Sequence, residues 1–304
     1  MPHSGPNDLR LNLGVPGILV FGATGTIGGA VLRNLAERDV AVKAVVRSPE
    51  RAAALGVPDV GTVVADLADP ASLTAAVRDA DGVFVATPAS PEQVRLETAL
   101  VDAVAAAPGP PHLVKLAALG YDAGPPDEII ALGANHARVV QHMQAVGVRH
   151  TVLAPSGFMA NLAGSAATIR AEGVLYGSSG DGGLSWVDPA DVGAVAAHVL
   201  TTPGHDGASY DVTGPEILDH DAVARRLSAA LGRPVRYVDV PSQAYRQNLE
   251  SVGLPPWLAA ALTELQELYR AHGAEVVTDE VEKATGRRAT DLDTWLAAHR
   301  DAFA

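Results

Sequence analysis

At 304 residues, with 48% hydrophobic side chains and no cysteine, the chain can form one large α/β domain or a core domain with a smaller lobe; disulfides, thiolate nucleophiles and thiolate metal sites are excluded. A formal net charge of -13 with only 22 Lys and Arg excludes a general nucleic-acid surface, because neutralising phosphates needs clustered cations. No run of about 18 uninterrupted apolar residues occurs, and the start, with Pro2, Pro6, Asp8, Arg10 and Pro16, lacks the apolar stretch of a secretory signal. The expectation is a soluble cytoplasmic protein, without membrane or nucleic-acid partners, carrying a flexible tail over residues 1–16.

The first element is a strand over Ile18-Phe21, followed by Gly22-x-x-Gly25-x-x-Gly28 and a helix from Ile27 to Arg38. In a strand–turn–helix setting each glycine serves a separate purpose, namely the tight exit from the strand, close backbone approach to a pyrophosphate, and close helix–strand packing. The helix start then offers free N–H groups and a positive dipole end to phosphates. Gly22, Thr24, Gly25, Thr26, Ile27 and Gly28 are the candidate phosphate-binding residues.

Strands follow at Val42-Val46, Val60-Ala65, Gly82-Ala86, His112-Leu116 and His150-Leu153, separated by helical runs at Ala71-Arg78, Glu92-Ala106 and Asn135-Ala145. Asp69-Pro70 and Ser90-Pro91 read as helix starts and Gly147 as a C-cap. This alternation predicts an α/β fold, a doubly wound parallel sheet of the Rossmann type over residues 17–155, with ligand across the carboxyl ends of its strands. Residues 156–304 are less regular and predict a smaller α+β C-terminal substrate lobe whose elements return to the sheet. Its readable pieces are a short strand at Trp186-Val187, helices at Val192-Leu200, Asp221-Leu231, Pro255 to Arg270 and Asp291 to Ala302, and strands at Ser209-Val212 and Val235-Val240.

The end of the second strand decides between the two nicotinamide cofactors. It reads Val45-Val46-Arg47-Ser48-Pro49, without the acid that would accept from a ribose 2′-hydroxyl. Arg47 stands about 20 residues past the glycine turn, where a guanidinium meets a 2′-phosphate; the other reading is an ordinary surface arginine. NADP(H) is therefore preferred over NAD(H). Asp66 and Leu67 follow the third strand, beside an adenine, although Asp66 also suits a local turn. Ala86, Thr87 and Pro88 follow the fourth, where backbone covers the pyrophosphate and the nicotinamide ribose.

Lysine occurs only at Lys43, Lys115 and Lys283. A buried strand rarely carries an unpaired ammonium, so Lys115 either reaches the ligand or pairs with a carboxylate. The usual reductase pair of this fold, Tyr followed four residues later by Lys, is absent: Tyr121, Tyr176, Tyr210, Tyr237, Tyr245 and Tyr269 are followed at that spacing by Pro125, Gly180, Gly214, Pro241, Leu249 and Gly273. His136, on the helix where that pair would sit, has a pKa suited to proton donation, or is a packed helix-face histidine. No His-x-x-x-His pair or Gly-x-Ser-x-Gly turn occurs, so no metal site and no serine nucleophile is expected.

The chain resembles the atypical short-chain dehydrogenases/reductases, specifically the NmrA-like group with its quinone, azo-compound and isoflavone-type reductases. The marks are Gly22 to Gly28, Val46-Arg47-Ser48-Pro49, Asp66-Leu67, Leu116 to Gly120, Pro155-Ser156-Gly157-Phe158-Met159-Ala160-Asn161, Trp186 to Val192 and Tyr210 to Pro215. The resemblance implies a Rossmann domain binding NADP(H) and a cleft where Pro155 and Phe158 meet the nicotinamide. It also implies a His followed four residues later by Glu; here the pair is His136 and Val140. Phe158, Met159, Asn161 and Trp186 are the substrate candidates, suited to a flat conjugated acceptor, with lobe packing as the alternative for the large ones.

The expected function is NADPH-dependent hydride transfer to a quinone, enone or polycyclic aromatic carbonyl, with His136 and Lys115 as catalytic candidates. The alanine-rich, lysine-poor composition of a high-GC genome adds tailoring of an aromatic natural product. Two alternatives stand beside it: a non-catalytic NADP(H) sensor acting through a protein partner, and a non-redox epimerase or cyclase. A small-molecule substrate and a monomer or homodimer are expected.

Overall fold

The computed structural model describes residues 17–53, 55, 57 and 60–304. The expected tail over residues 1–16 lies outside the described residues. The glycine turn leaves strand β1 (Gly17–Phe21) and enters helix α1 (Thr26–Ala36). Then come β2 (Val42–Val46), α2 (Pro49–Ala53), β3 (Gly61–Val64), α3 (Pro70–Val77), β4 (Ala80–Val85), α4 (Gln93–Ala105), β5 (His112–Leu116), α5 (Ala131–Val146) and β6 (His150–Pro155). The remainder comprises a 3-10 turn (Met159–Ser165), α6 (Ala166–Glu172), β7 (Val174–Gly177), α7 (Pro189–Thr201), β8 (Ser209–Val212), α8 (His220–Leu231), β9 (Arg236–Asp239), α9 (Ser242–Ser251), α10 (Pro256–Arg270), α11 (Glu280–Thr285), α12 (Leu292–His299) and a closing 3-10 turn (Arg300–Ala302).

Seven parallel strands form one sheet in the order β3-β2-β1-β4-β5-β6-β8. The order reverses between β1 and β4, the place where a doubly wound sheet opens a crevice at its carboxyl edge. Apolar residues alternate between its two faces. Leu19, Phe21, Val83, Val85 and Leu113 join α3, α4 and α5 in one core, whereas Ile18, Val20, Phe84, Val114 and Leu153 join α1, α7 and α11 in the other. A third core, including Met159, Leu175, Trp186, Leu227, Trp295 and Phe303, packs α6, α8, α10 and α12 around the small parallel pair β7-β9.

Asp69 caps α3 by accepting from Ala71 N at 3.1 Å, and Asp188 caps α7 by accepting from Ala190 N at 2.9 Å. Gly147 ends α5 with φ 73°, the left-handed conformation that favours glycine. Ser90-Pro91 differs from the expected start: α4 begins at Gln93, after a turn closed by Gln93 N donating to Ser90 O at 3.1 Å. Helix α5 begins one turn before Asn135. Trp186-Val187 forms no strand; Val187 makes one isolated bridge to Phe158. Strand β7 and helix α9 were not expected; β7 is largely buried and pairs with β9, whereas no residue of α9 is buried.

Helix α1, which presents the glycine turn, is held from outside by α7. A Cβ placed on Gly193 of α7 would lie 2.7 Å from Ala30 C and 2.8 Å from Ala30 Cβ, closer than real side chains tolerate. Gly193→Ala is expected to push the two helices apart and lower stability by about 1–3 kcal/mol. Urea unfolding of the variant checks this; an unchanged midpoint contradicts the contact.

Candidate active site at the carboxyl edge of the sheet

Gly22 has φ 78°, and a Cβ on it would lie 2.1 Å from Ala86 O, so the turn after β1 is pressed against the segment after β4. A Cβ on Gly28 would lie 2.1 Å from Gly22 O, which is the close helix–turn packing expected of the third glycine. Thr24, Gly25 and Thr26 are exposed between them, while Ile27 and Gly28 are buried. Gly25 caps α1 without a side chain, and no acid lies in the first turn. The helix start thus keeps unfilled N–H groups and an uncompensated positive end, the features that hold phosphate.

Around this turn the other candidates take distinct positions. Arg47 is exposed just past β2, with no acid at the strand end. Asp66 and Leu67 are half-buried past β3; Asp66 Oδ1 accepts from Ala68 N at 2.9 Å in a local turn, and Leu67 packs on the core of α3 and α4. Ala86 and Thr87 are half-buried and Pro88 exposed. Pro155 ends β6 and is buried; Phe158 is half-buried, packed with Ala86 and Leu116 against the α1 core.

The second half of the site lies on the opposite face, where β5 turns Lys115 toward α4 and α5. Lys115 is fully buried. Its Nζ lies 2.7 Å from Glu97 Oε2, donates to Leu116 O at 2.5 Å and lies 3.0 Å from His136 Nδ1. Glu97, also fully buried, accepts on Oε1 from the Thr87 hydroxyl and from Gln93 Nε2 at 3.4 Å. Gln93 Nε2 also lies 3.3 Å from His136 Nδ1. Five side chains from β5, α4, α5 and the segment after β4 therefore form one polar cluster beneath the carboxyl edge.

An ammonium has no lone pair, so beside Lys115 the His136 Nδ1 is an acceptor and the proton sits on Nε2. Burial first, and then the Lys115 charge, push the imidazole well below the ordinary histidine range. His136 is neutral at pH 7, and donation from an imidazolium, the simple form of the sequence expectation, does not fit. Val140 offers no carboxylate; the acid in this cluster is Glu97 of α4, which contacts Lys115 and not His136.

Three of the candidates are buried. Lys115 takes the second of its two expected roles, pairing with a carboxylate, and its amine lies against three protein acceptors inside the fold. Met159 is 1% exposed and Trp186 is 6% exposed, both in the lobe core, and Trp186 Nε1 donates to Leu218 O at 3.2 Å. Their bulk stabilises the lobe and leaves half-buried Phe158 and exposed Asn161 as the surface-reaching members of that set.

Sequence reasoning missed Gln93 and Glu97, which read as the polar face of an amphipathic helix. It also missed Trp257, which with Asn135, Arg138 and Glu264 lines a cavity of about 680 Å³ between α5, α10 and the 126–130 segment. Among the described residues no group of three or more His, Asp or Glu is placed to hold a metal, and no helix is long and apolar enough to cross a membrane.

His220 sits beneath Trp186, stacked on Tyr237 at 5.2 Å, with Nδ1 at 2.7 Å from Ser179 Oγ. Burial lowers its pKa to about 4. The folded protein keeps this ring and His136 neutral, whereas the unfolded chain protonates both near pH 6.5. Stability is therefore full above about pH 6.5 and falls, by an amount on the order of a few kcal/mol, as the pH drops toward 4. Denaturation at stepped pH checks this, with His220→Gln expected to flatten the slope. Removing one partner of the buried ion pair, as in Glu97→Gln, is expected to cost about 3–5 kcal/mol, because it strands a charge inside the sheet; a loss under about 1 kcal/mol contradicts that burial.

The NmrA-like family profile matches residues 16–297. The chain is 40% identical to an NAD(P)H azoreductase of Xenophilus azovorans, covering 94% of this chain and 99% of that protein. It is 37% identical to a (4-alkanoyl-5-oxo-2,5-dihydrofuran-3-yl)methyl phosphate reductase of Streptomyces griseus, with coverage of 94% and 99%. Among solved structures it resembles the NADPH-dependent quinone oxidoreductase QOR2 of Escherichia coli complexed with NADPH, at 26% identity and a TM-score of 0.85, over 93% of this chain and 99% of that one. A profile spanning the sheet and the lobe, with relatives matched end to end, places this chain in the NmrA-like family.

Proposed function

We propose that this protein is an NADPH-dependent reductase that delivers hydride to a conjugated, electron-poor small molecule such as a quinone, an enone or a related polycyclic carbonyl. The observation that carries this reading is the meeting, at one sheet edge, of a side-chain-free helix start and a half-buried neutral histidine. The first suits a pyrophosphate, and the second offers an N–H to an acceptor oxygen. The azo compound, dihydrofuranone phosphate and quinone in the relatives' names are all electron-poor acceptors, which supports the class rather than one member.

In this reading Gly22, Thr24, Gly25, Thr26, Ile27 and Gly28 hold the pyrophosphate and Arg47 the 2′-phosphate. Asp66 and Leu67 flank the adenine, Ala86, Thr87 and Pro88 cover the nicotinamide ribose, and Pro155 and Phe158 back the nicotinamide. Bound NADPH supplies the hydride. Phe158 and Asn161 border the acceptor, and His136 Nε2 faces its oxygen. The chain works in the cytoplasm, where the reduced cofactor is kept abundant.

Anaerobic oxidation of NADPH with a panel of quinones, enones and azo dyes tests the activity. Turnover with at least one class is expected, and micromolar NADPH binding with no turnover on any of them favours a sensor instead. Arg47→Ala is expected to weaken NADPH binding by about 1–3 kcal/mol and to leave NADH little changed. Equal losses for both cofactors, measured by calorimetric titration, remove Arg47 from the 2′-phosphate.

A further inference from the structure

The least explained feature of the site is the charge placed behind His136. Lys115 and Glu97 are both fully buried, an arrangement that stability alone does not favour, since an apolar pair of similar volume commonly serves as well. The cluster has a direction. Thr87 and Gln93 donate to Glu97, Glu97 holds Lys115, and Lys115 Nζ points one of its protons at His136 Nδ1 over 3.0 Å. Among the described residues His136 Nε2 has no hydrogen-bond partner, and the residue as a whole is half-buried.

A neutral imidazole is a poor acid by itself, because losing its N–H leaves an imidazolate. Its cationic form is opposed here by burial and by the adjacent ammonium. Both difficulties vanish if Nδ1 gains a proton as Nε2 loses one.

We propose that Lys115 is the proton source behind His136: its ammonium fixes the imidazole with the proton on Nε2 and replaces that proton through Nδ1 as it leaves, while Glu97 holds the ammonium in line. This rests on the reductase reading. The two electrons reach the acceptor with the hydride. The acceptor's oxyanion then takes the Nε2 proton, so that an N–H bond breaks and an O–H bond forms. At Nδ1 an N–H bond forms as one on Lys115 Nζ breaks. The ring stays neutral, protonated on Nδ1, beside a neutral amine and the Glu97 carboxylate. After product leaves, a solvent proton on Nε2 and return of the Nδ1 proton to Lys115 restore the starting state. Lys115 and Glu97 touch neither acceptor nor cofactor and are positioning residues acting through His136.

Among the described residues the charged and titratable groups facing the ring are few. Lys115 from β5 is the charge that perturbs it, Glu97 of α4 acts through Lys115, and the α4 and β4-side neighbours Gln93 and Thr87 are uncharged.

The experiment combines 15N NMR of the histidine side chains in the ligand-free full chain with kcat–pH profiles for wild type, Lys115→Met and the paired Glu97→Gln, Lys115→Met variant. The pair removes both charges, which guards against a fold lost through one stranded charge. In wild type His136 is expected to carry its proton on Nε2, with Nδ1 as a bare acceptor, and kcat to stay flat through neutral pH. In both variants the ring is expected to titrate nearer the ordinary histidine range, and kcat to fall about tenfold per pH unit above that point, because only imidazolium then donates. The KM for NADPH is expected to hold.

A wild-type His136 protonated on Nδ1 overturns the proposal, as does an unchanged ring titration and pH profile in the variants. If wild type turns over no acceptor, the reductase reading fails on its own, and the NMR result still decides how Lys115 sets the ring.

Discussion

The ammonium of Lys115 lies inside a parallel sheet, and the structure around the site is arranged to satisfy it. A lone charge there is prohibitive, so α4 must bring Glu97 to within 2.7 Å, and α5 must bring His136 to 3.0 Å. Glu97 in turn receives the Thr87 hydroxyl, which fixes the segment after β4, and that segment is pressed on Gly22 of the opening turn. One buried charge thereby ties four elements together at the edge where the strands end.

This coupling gives the two halves of the site different physical characters. The glycine turn works through backbone: it has no side chain at its cap, no acid nearby, and a helix end aimed outward. The histidine half works through a desolvated side-chain cluster whose hydrogen bonds are strengthened by the low dielectric around it. The first suits recognition of phosphate in any redox state. The second suits placing one proton at one nitrogen.

Much of this was legible in the sequence for identifiable reasons. The glycine spacing, the alternation of apolar strands with helices, and the Asp69 and Gly147 boundary residues act locally, and local chemistry survives folding. The position of Arg47 just past β2, with no acid at the strand end, was readable because the fold fixes the distance from the turn. Glu97 was not readable, since a carboxylate on an amphipathic helix is ordinarily a solvated one and only tertiary packing turns it inward. For the same reason the sequence pointed to Val140 for a carboxylate, while the acid beside this cluster stands on α4. Met159 and Trp186 were ambiguous because bulky residues look alike whether they line a cleft or fill a core, and burial decided for the core.

The proposed reduction depends on one spatial relation, in which a neutral His136, backed by Lys115, faces an acceptor held beside the nicotinamide. A crystal structure with NADPH and a non-reducible quinone analogue measures this directly. His136 Nε2 is expected within about 3.2 Å of the analogue's oxygen, with Lys115 still shared between Glu97 and Nδ1. An analogue oxygen bonded to Lys115 itself, or a His136 ring turned away from the ligand, contradicts it.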